Sequence, residues 1–216
     1  MIDDQVEGLL SAHGSRLLGS LMEKQLTTPD YYPLTLKALM AACNQKSSRV
    51  PVMNLTLSEV GGVVNELRAE GLITARMDGR TDRYEQHLSR KLSLSIKERA
   101  VLCVLMLRGA LTLNEIRINT ARMVEFSDAD ELQALLDKMM DRDEPLLLRI
   151  PKAAGQREDR FAQLLCGKPD IELAATAGAN LVKSDRITQL ETDVADLQAE
   201  MKELRLLIEL SNNSPD

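Results

Sequence analysis

Leu34-Thr35-Leu36 recurs as Leu111-Thr112-Leu113, and Asp82-Arg83-Tyr84-Glu85-Gln86 recurs as Asp159-Arg160-Phe161-Ala162-Gln163. Both pairs share one offset of about 77 residues, and the apolar Leu72-Ile73 has its echo in Leu146-Leu147-Leu148. A period of that length is a domain-scale duplication rather than a solenoid unit. The fold of the first copy is therefore the fold expected of the second. The 216 residues give room for two small domains, each able to bury a core.

Each copy can be read from its helix starts. A Ser or Thr followed three residues later by an acid satisfies two orphan amides reciprocally, and Thr56…Glu59, Ser95…Glu98 and Thr112…Glu115 all fit, with Ser127…Asp130 a weaker relative. After Thr56, Val60, Val63, Val64 and Leu67 recur at helical spacing and Gly71 stands as a C-cap, which predicts a helix over about 56–70. Two short extended runs around Asp78-Gly79 then read as a β-hairpin. Upstream, Arg16 to Leu26 and Leu34 to Cys43 carry helical apolar stripes. Three helices and a hairpin make the winged-helix variant of helix-turn-helix. The expected fold class is mainly α with small β-hairpins, as two tandem winged-helix domains plus a C-terminal coiled-coil helix. Tyr84 and Phe161, at equivalent places, are expected to close the core beneath each hairpin.

The boundaries follow. An acidic segment covers 1–13, the winged helices 14–90 and 91–167, a linker 168–182, a coiled-coil helix 183–210 and a disordered tail 211–216. In the coil, Ile187, Leu190, Val194, Leu197, Met201, Leu204 and Ile208 alternate three and four apart. β-Branched residues at a with leucine at d suit a parallel two-stranded coil, hence self-association as a dimer. Folding back of one amphipathic helix onto the body is the competing reading.

Composition narrows the chemistry. Three Tyr, two Phe and no Trp leave too few rings for a single-strand stacking platform. Cys43, Cys103 and Cys166 are odd in number and scattered, with only His13 and His87 to join them, so no zinc spacing arises and reduced thiols in a cytoplasm are expected. Cys43 and Cys103 fall on apolar helical faces and read as buried. The acidic start lacks the basic n-region of a signal peptide, and no apolar run is long enough to span a bilayer. No metal, cofactor, phosphate-loop or catalytic motif is found, so the expectation is a protein that is not an enzyme.

Leu18-Gly-Ser-Leu-Met-Glu-Lys-Gln-Leu-Thr-Thr-Pro-Asp-Tyr-Tyr-Pro-Leu-Thr-Leu36, with Ala42-Cys-Asn-Gln-Lys-Ser-Ser-Arg49 and Pro51-Val-Met53, resembles the YceH-like family of bacterial proteins. The resemblance covers roughly residues 10 to 167. It implies a double winged-helix protein of uncharacterised function, with DNA binding or regulation of transcription as the suggested role, and it supplies no catalytic residues.

A winged helix reads duplex DNA with its third helix in the major groove while the preceding turn and the wing reach phosphates. The first repeat meets that need by half. Asn44, Gln45, Lys46, Ser47, Ser48 and Arg49 precede the helix, Asn65 and Arg68 project from it, and Arg76, Arg80 and Arg83 lie on the wing. Against them stand Glu59, Glu66 and Glu70 on the same helix. The repeated Asp-Arg pair is read as a local ion pair or a bond to the domain body, with ligand contact by Arg83 as the sharper alternative. Gly61-Gly62 inside the helix costs about 1 kcal/mol per residue relative to Ala, and close helix-helix contact is the expected reason.

The third helix of the second repeat carries Asp128, Asp130, Glu131, Asp137, Asp141, Asp143 and Glu144 against Lys138 and Arg142, so a docking or packing role is expected there, with only the wing cations Lys152 and Arg157 able to assist DNA. The net charge of −6 is no veto on the first repeat, because the acidity sits in the two ends while that repeat is about +2. Two functions remain: a cytoplasmic, dimeric DNA-binding regulator acting through the first repeat, or a protein-interaction adaptor using winged helices as docking surfaces. One face carrying Lys46, Arg49, Arg76, Arg80 and Arg83 together favours the regulator; Glu59, Glu66 and Glu70 on that face favour the adaptor.

Overall fold

A computed structural model describes residues 8–78, 81–153 and 156–169. Arg80, the coil positions Ile187, Leu190, Val194, Leu197, Met201, Leu204 and Ile208, residues 1–7 of the expected acidic segment, most of the expected linker and the expected 211–216 tail lie outside the described residues.

The element order is helix α1 (Ala12–Thr27), a 3-10 turn (Pro29–Tyr31), strand β1 (Leu34–Thr35), α2 (Leu36–Cys43), α3 (Leu57–Ala69), β2 (Ile73–Asp78) and β3 (Thr81–Gln86). A short α4 (Leu88–Lys91) joins this to α5 (Ile96–Arg108), β4 (Leu111–Thr112), α6 (Leu113–Thr120), α7 (Ala129–Met140), β5 (Leu147–Ile150) and β6 (Arg160–Gln163). The result is a mixed α/β body with two small antiparallel sheets, each winged-helix-like in its sequence of elements.

The repeat is visible in the pairing. The sheets have the orders β1-β3-β2 and β4-β6-β5, so the last strand of each copy sits in the middle. Leu34 lies opposite Tyr84 and Leu111 opposite Phe161. Each expected hairpin therefore has a third strand, only two residues long. The recurring Leu-Thr-Leu now has a physical account. Its first leucine is buried (Leu34, Leu111), and its threonine both pairs with the central strand and caps the next helix. Thr35 accepts from the Ala38 amide and Thr112 from the Glu115 amide. Tyr84 and Phe161 are buried beneath their sheets, as expected.

Arg83 and Arg160 do equivalent work. Arg83 Nη1 donates to the Pro33 carbonyl at 3.1 Å and Arg160 Nη1 to the Ala110 carbonyl at 3.0 Å. Each guanidinium ties the central strand to the turn that leads into the short strand. In the second copy Arg160 also reaches Glu115, the acid of the α6 capping box, at 2.9 Å.

The capping boxes at Thr56, Ser95 and Thr112 form in full. The fourth start differs by one residue: Asp128 is the cap, accepting from the Glu131 amide, while Ser127 donates from its amide and hydroxyl to the Glu131 carboxylate. Gly71 ends α3 at φ +69°, a left-handed conformation in which a side chain is strained.

α1 and α5 form the spine. α1 is buried continuously from Gly14 to Glu23, and α5 from Ala100 to Leu107, as expected of helices covered on all sides. They pack on each other, and a Cβ at Gly19 would stand 3.0 Å from Leu107 Cδ2, so glycine permits the close approach. Leu102, Leu105 and Leu107 belong to the same apolar cluster as Leu17, Leu18 and Leu21, and that cluster runs on through Ile116, Leu132 and Leu136. One core thus serves both repeats. The Leu10 amide also donates to the Leu165 carbonyl, joining the start of the first copy to the end of the second.

Glu98 and Glu131 are among the acids that make this body sensitive to low pH. Burial raises the pKa of Glu98, but bonds from the Ser95 amide and hydroxyl and from Lys138 outweigh it, and the carboxyl lies below its ordinary value. Bonds from Lys97 and then Ser127 hold Glu131 down to about 2. Both folded-state values lie below the unfolded ones. Their stabilising effect is complete above the ordinary value of 4.5 and is lost as pH falls toward about 2. Thermal unfolding across that window should show the midpoint falling with pH, and Glu131→Gln should flatten the fall.

Candidate nucleic-acid interface

The segment between α2 and α3 is built from inside. Asn44 turns its amide back on Leu55, donating from Nδ2 to the carbonyl and accepting from the N–H, both at 2.8 Å. Arg49 is 2% exposed. Its Nη2 meets Glu23 Oε2 at 2.5 Å, its Nε donates to the Ala42 carbonyl, and its Nη1 donates to the Ser48 carbonyl. Arg16, 1% exposed, donates to the carbonyls of Cys43 and Pro51. Two buried guanidiniums therefore staple the loop to α1, one of them neutralised by Glu23 of the same helix. The loop is also fixed to α5: Ser48 Oγ accepts from Arg108 Nη2 at 2.7 Å, and the Val50 amide donates to the Leu107 carbonyl.

Burial shapes the titration of this interior. It lowers the pKa of Arg16, with neighbouring Arg49 adding to the effect, and pushes the Cys43 thiol up to about 11. Cys103 is buried as well, its Sγ donating to the Gly19 carbonyl, and its thiol is pushed up by the same cause. Both are held as neutral thiols, which argues against nucleophilic use. Tyr32 is pushed up to about 12 by burial, and its phenol oxygen accepts from the Gln86 amide.

The expected contact residues therefore separate. Asn44, Ser48, Arg49 and Arg83 are held in the frame of the fold. Gln45 is half-buried, and Lys46, Ser47, Asn65, Arg68 and Arg76 are exposed. Arg76 reaches Glu85 at 3.3 Å. Glu59 and Glu66 of α3 and its C-cap Glu70 are exposed along one flank, with Arg68 exposed on the opposite flank, and Glu59 is engaged in the capping box. The face with Arg49 and Arg83 among its free cations does not form.

Gly61 and Gly62 also differ from expectation. A Cβ at Gly61 would touch Leu36 Cδ2 at an ordinary 3.9 Å, and one at Gly62 would meet nothing within 4 Å. No helix presses on Gly62, which lies open on the same face of α3 as Ser58 and Asn65. Arg16 and Glu23, which position the loop between α2 and α3, carry no motif that marks them. Their signal in the sequence is that Arg16, Ser20 and Glu23 form a polar stripe at helical spacing through the stretch of α1 that is buried on all sides.

On the second repeat, α7 presents exposed Asp130, Asp137 and Lys138, and Lys138 pairs with Glu98 at 3.1 Å. Lys97 pairs with Glu131 and lies 5.2 Å from the Phe126 ring centroid. Among the described residues no group of three His, Cys, Asp or Glu is placed to hold a metal, and no helix is long and apolar enough to cross a membrane.

Comparison with known proteins bears out the resemblance to an uncharacterised bacterial family. A UPF0502 protein of Cellvibrio japonicus is 42% identical over 208 residues, covering 92% of this chain and 95% of its own. Those of Vibrio atlanticus and Stenotrophomonas maltophilia are 39% and 41% identical, covering 93% and 91% of this chain and 97% and 94% of their own. Residues 10–156, which include the loop staple, the whole first sheet and β4 and β5 of the second, match the family described as "Protein of unknown function, DUF480", and the chain belongs to that family.

Proposed function

We propose that the chain is a non-catalytic adaptor in which two tandem winged helices serve as docking surfaces for a protein partner. The observation that carries this is the engagement of Arg49 with Glu23 and of Arg83 with the Pro33 carbonyl. With those two cations engaged, α3 and its C-cap expose three carboxylates, Glu59, Glu66 and Glu70, gathered on one flank, and a single guanidinium, Arg68, on the other. A phosphate backbone needs cations at that surface, whereas a protein partner accepts a mixed one. The exposed apolar side chains Val52 and Leu57, flanking the start of α3, favour the same reading. The adaptor acts in the cytoplasm, and self-association through the C-terminal heptads doubles its docking surfaces.

The second reading is a DNA-binding regulator, favoured by the winged-helix-like order of elements and by the exposure of Lys46, Arg68 and Arg76. Three phosphate contacts give a log–log salt slope of about −2.7 for each module. Titration of the full chain with duplex DNA at low and physiological salt separates the two. The adaptor reading predicts no saturable binding at physiological salt. Saturable binding with that slope, weakened by Arg68→Glu and Lys46→Glu, would establish the regulator in its place.

A further inference from the structure

A cleft of about 380 Å³ lies on the second repeat, between α6, α7 and the wing residues Arg149, Lys152 and 157–161. Its floor is Phe161, 2% exposed, with Leu113 beside it. Arg149, Lys152 and Arg157 reach it from the wing, and the amides of Asn114 and Gln133 reach it from the helices. Asp159 sets its shape, accepting from the Lys152 backbone amide at 3.0 Å and from Arg149 Nε at 2.7 Å. Those two bonds, the backbone one foremost, hold the carboxyl below its ordinary range, so it is ionised at neutral pH and offsets Arg149. Glu158 also lines the cleft. Among the described residues, none makes an ion pair with the side chains of Lys152 or Arg157.

The geometry points to this cleft as a binding site for a small organic anion, one charged group carried on an apolar body. The charged group sits between Lys152 and Arg157, where charge-assisted bonds are strongest, and the body lies over Phe161 and Leu113. The volume is at the small end of ligand pockets. Its surroundings select against a polyanion. Asp130 and Asp137 are exposed one turn to either side of Gln133, and Gln133 donates to Asp137 at 2.9 Å. A nucleic-acid backbone laid along α7 would meet both carboxylates, whereas a single anion on the wing side meets the cations. The acidic helix and the basic wing together thus act as a selectivity device. The site is separate from the α3 face and stands whether or not that face docks a protein.

Phenyl phosphate is a suitable probe, titrated into the ¹⁵N-labelled full chain and followed by amide shifts. Saturable shifts confined to Asn114, Gln133 and residues 149–161, with a Kd on the order of 1 mM or below, are expected. Lys152→Gln with Arg157→Gln should weaken binding about tenfold or more. Both side chains are exposed, so an unchanged thermal midpoint checks the fold. Absence of saturation at several times that concentration, or equal binding by the double variant, would overturn the proposal. So would displacement of the probe by duplex DNA at equal phosphate concentration.

Discussion

Glu23→Ala is expected to destabilise the protein by about 3–5 kcal/mol, the usual consequence of removing one partner from a buried ion pair. The guanidinium of Arg49 is fully buried on its side chain, and Glu23 is the acid it meets, through both carboxylate oxygens. Lys24, at 3.8 Å from Glu23, cannot take the place of that acid. Without Glu23, Arg49 keeps the carbonyls of Ala42 and Ser48, but its charge is left uncompensated away from water. The loop would have to swing out to hydrate it, breaking the Val50–Leu107 backbone bond and the Ser48–Arg108 bond on the way. Replacing both members by methionine should cost much less than either single change, because a buried pair contributes little net stability over an apolar one of similar volume. Urea unfolding of the two single variants and the double variant measures the coupling directly.

Leu102→Ala is expected to cost about 2–5 kcal/mol, the range for deleting a fully buried leucine side chain, including the cavity it leaves. The informative part is which residues respond. α5 packs against α1 of the first repeat and against α6 and β6 of the second, and one apolar cluster joins them. Both repeats should therefore lose stability together, in a single transition. Hydrogen exchange at Tyr84 and Phe161, buried at equivalent places in the two sheets, reads each copy separately. Equal loss of protection supports one shared core; loss at Phe161 alone would mean that the copies fold independently.

Much of this architecture was legible because it rests on local chemistry. Three capping boxes marked the starts of α3, α5 and α6, and the recurrence of Leu-Thr-Leu and Asp-Arg-aromatic marked the two copies. β1 and β4 were missed because a two-residue strand has no periodicity; their threonines announced a helix cap and concealed a strand pair. The cap of α7 shifted from Ser127 to Asp128 because Glu131 can serve either partner. The larger difference concerns charge. A cation in a polar loop is ordinarily exposed, and Glu23, the acid that takes Arg49 inside, lies 26 residues away in sequence. Nothing local distinguished Arg49 from Lys46. Arg83 was the exception, since its recurrence as Arg160 pointed to a role common to both copies. Gly62 carried a misleading signal, a helical glycine with open space beside it where a packed neighbour was expected.

Arg49 holds the interior of the fold, buried against Glu23 and the Ala42 carbonyl. Arg49→Met tests this role, with stability and duplex binding measured on the same preparation. The structure predicts a loss of about 3–5 kcal/mol in urea unfolding, since Glu23 is left buried with only the longer 3.8 Å contact to Lys24, with no specific change in the low-salt duplex titration of the folded fraction. An unfolding free energy within about 0.5 kcal/mol of the parent, together with duplex binding weakened about tenfold, would contradict the account and return Arg49 to the surface.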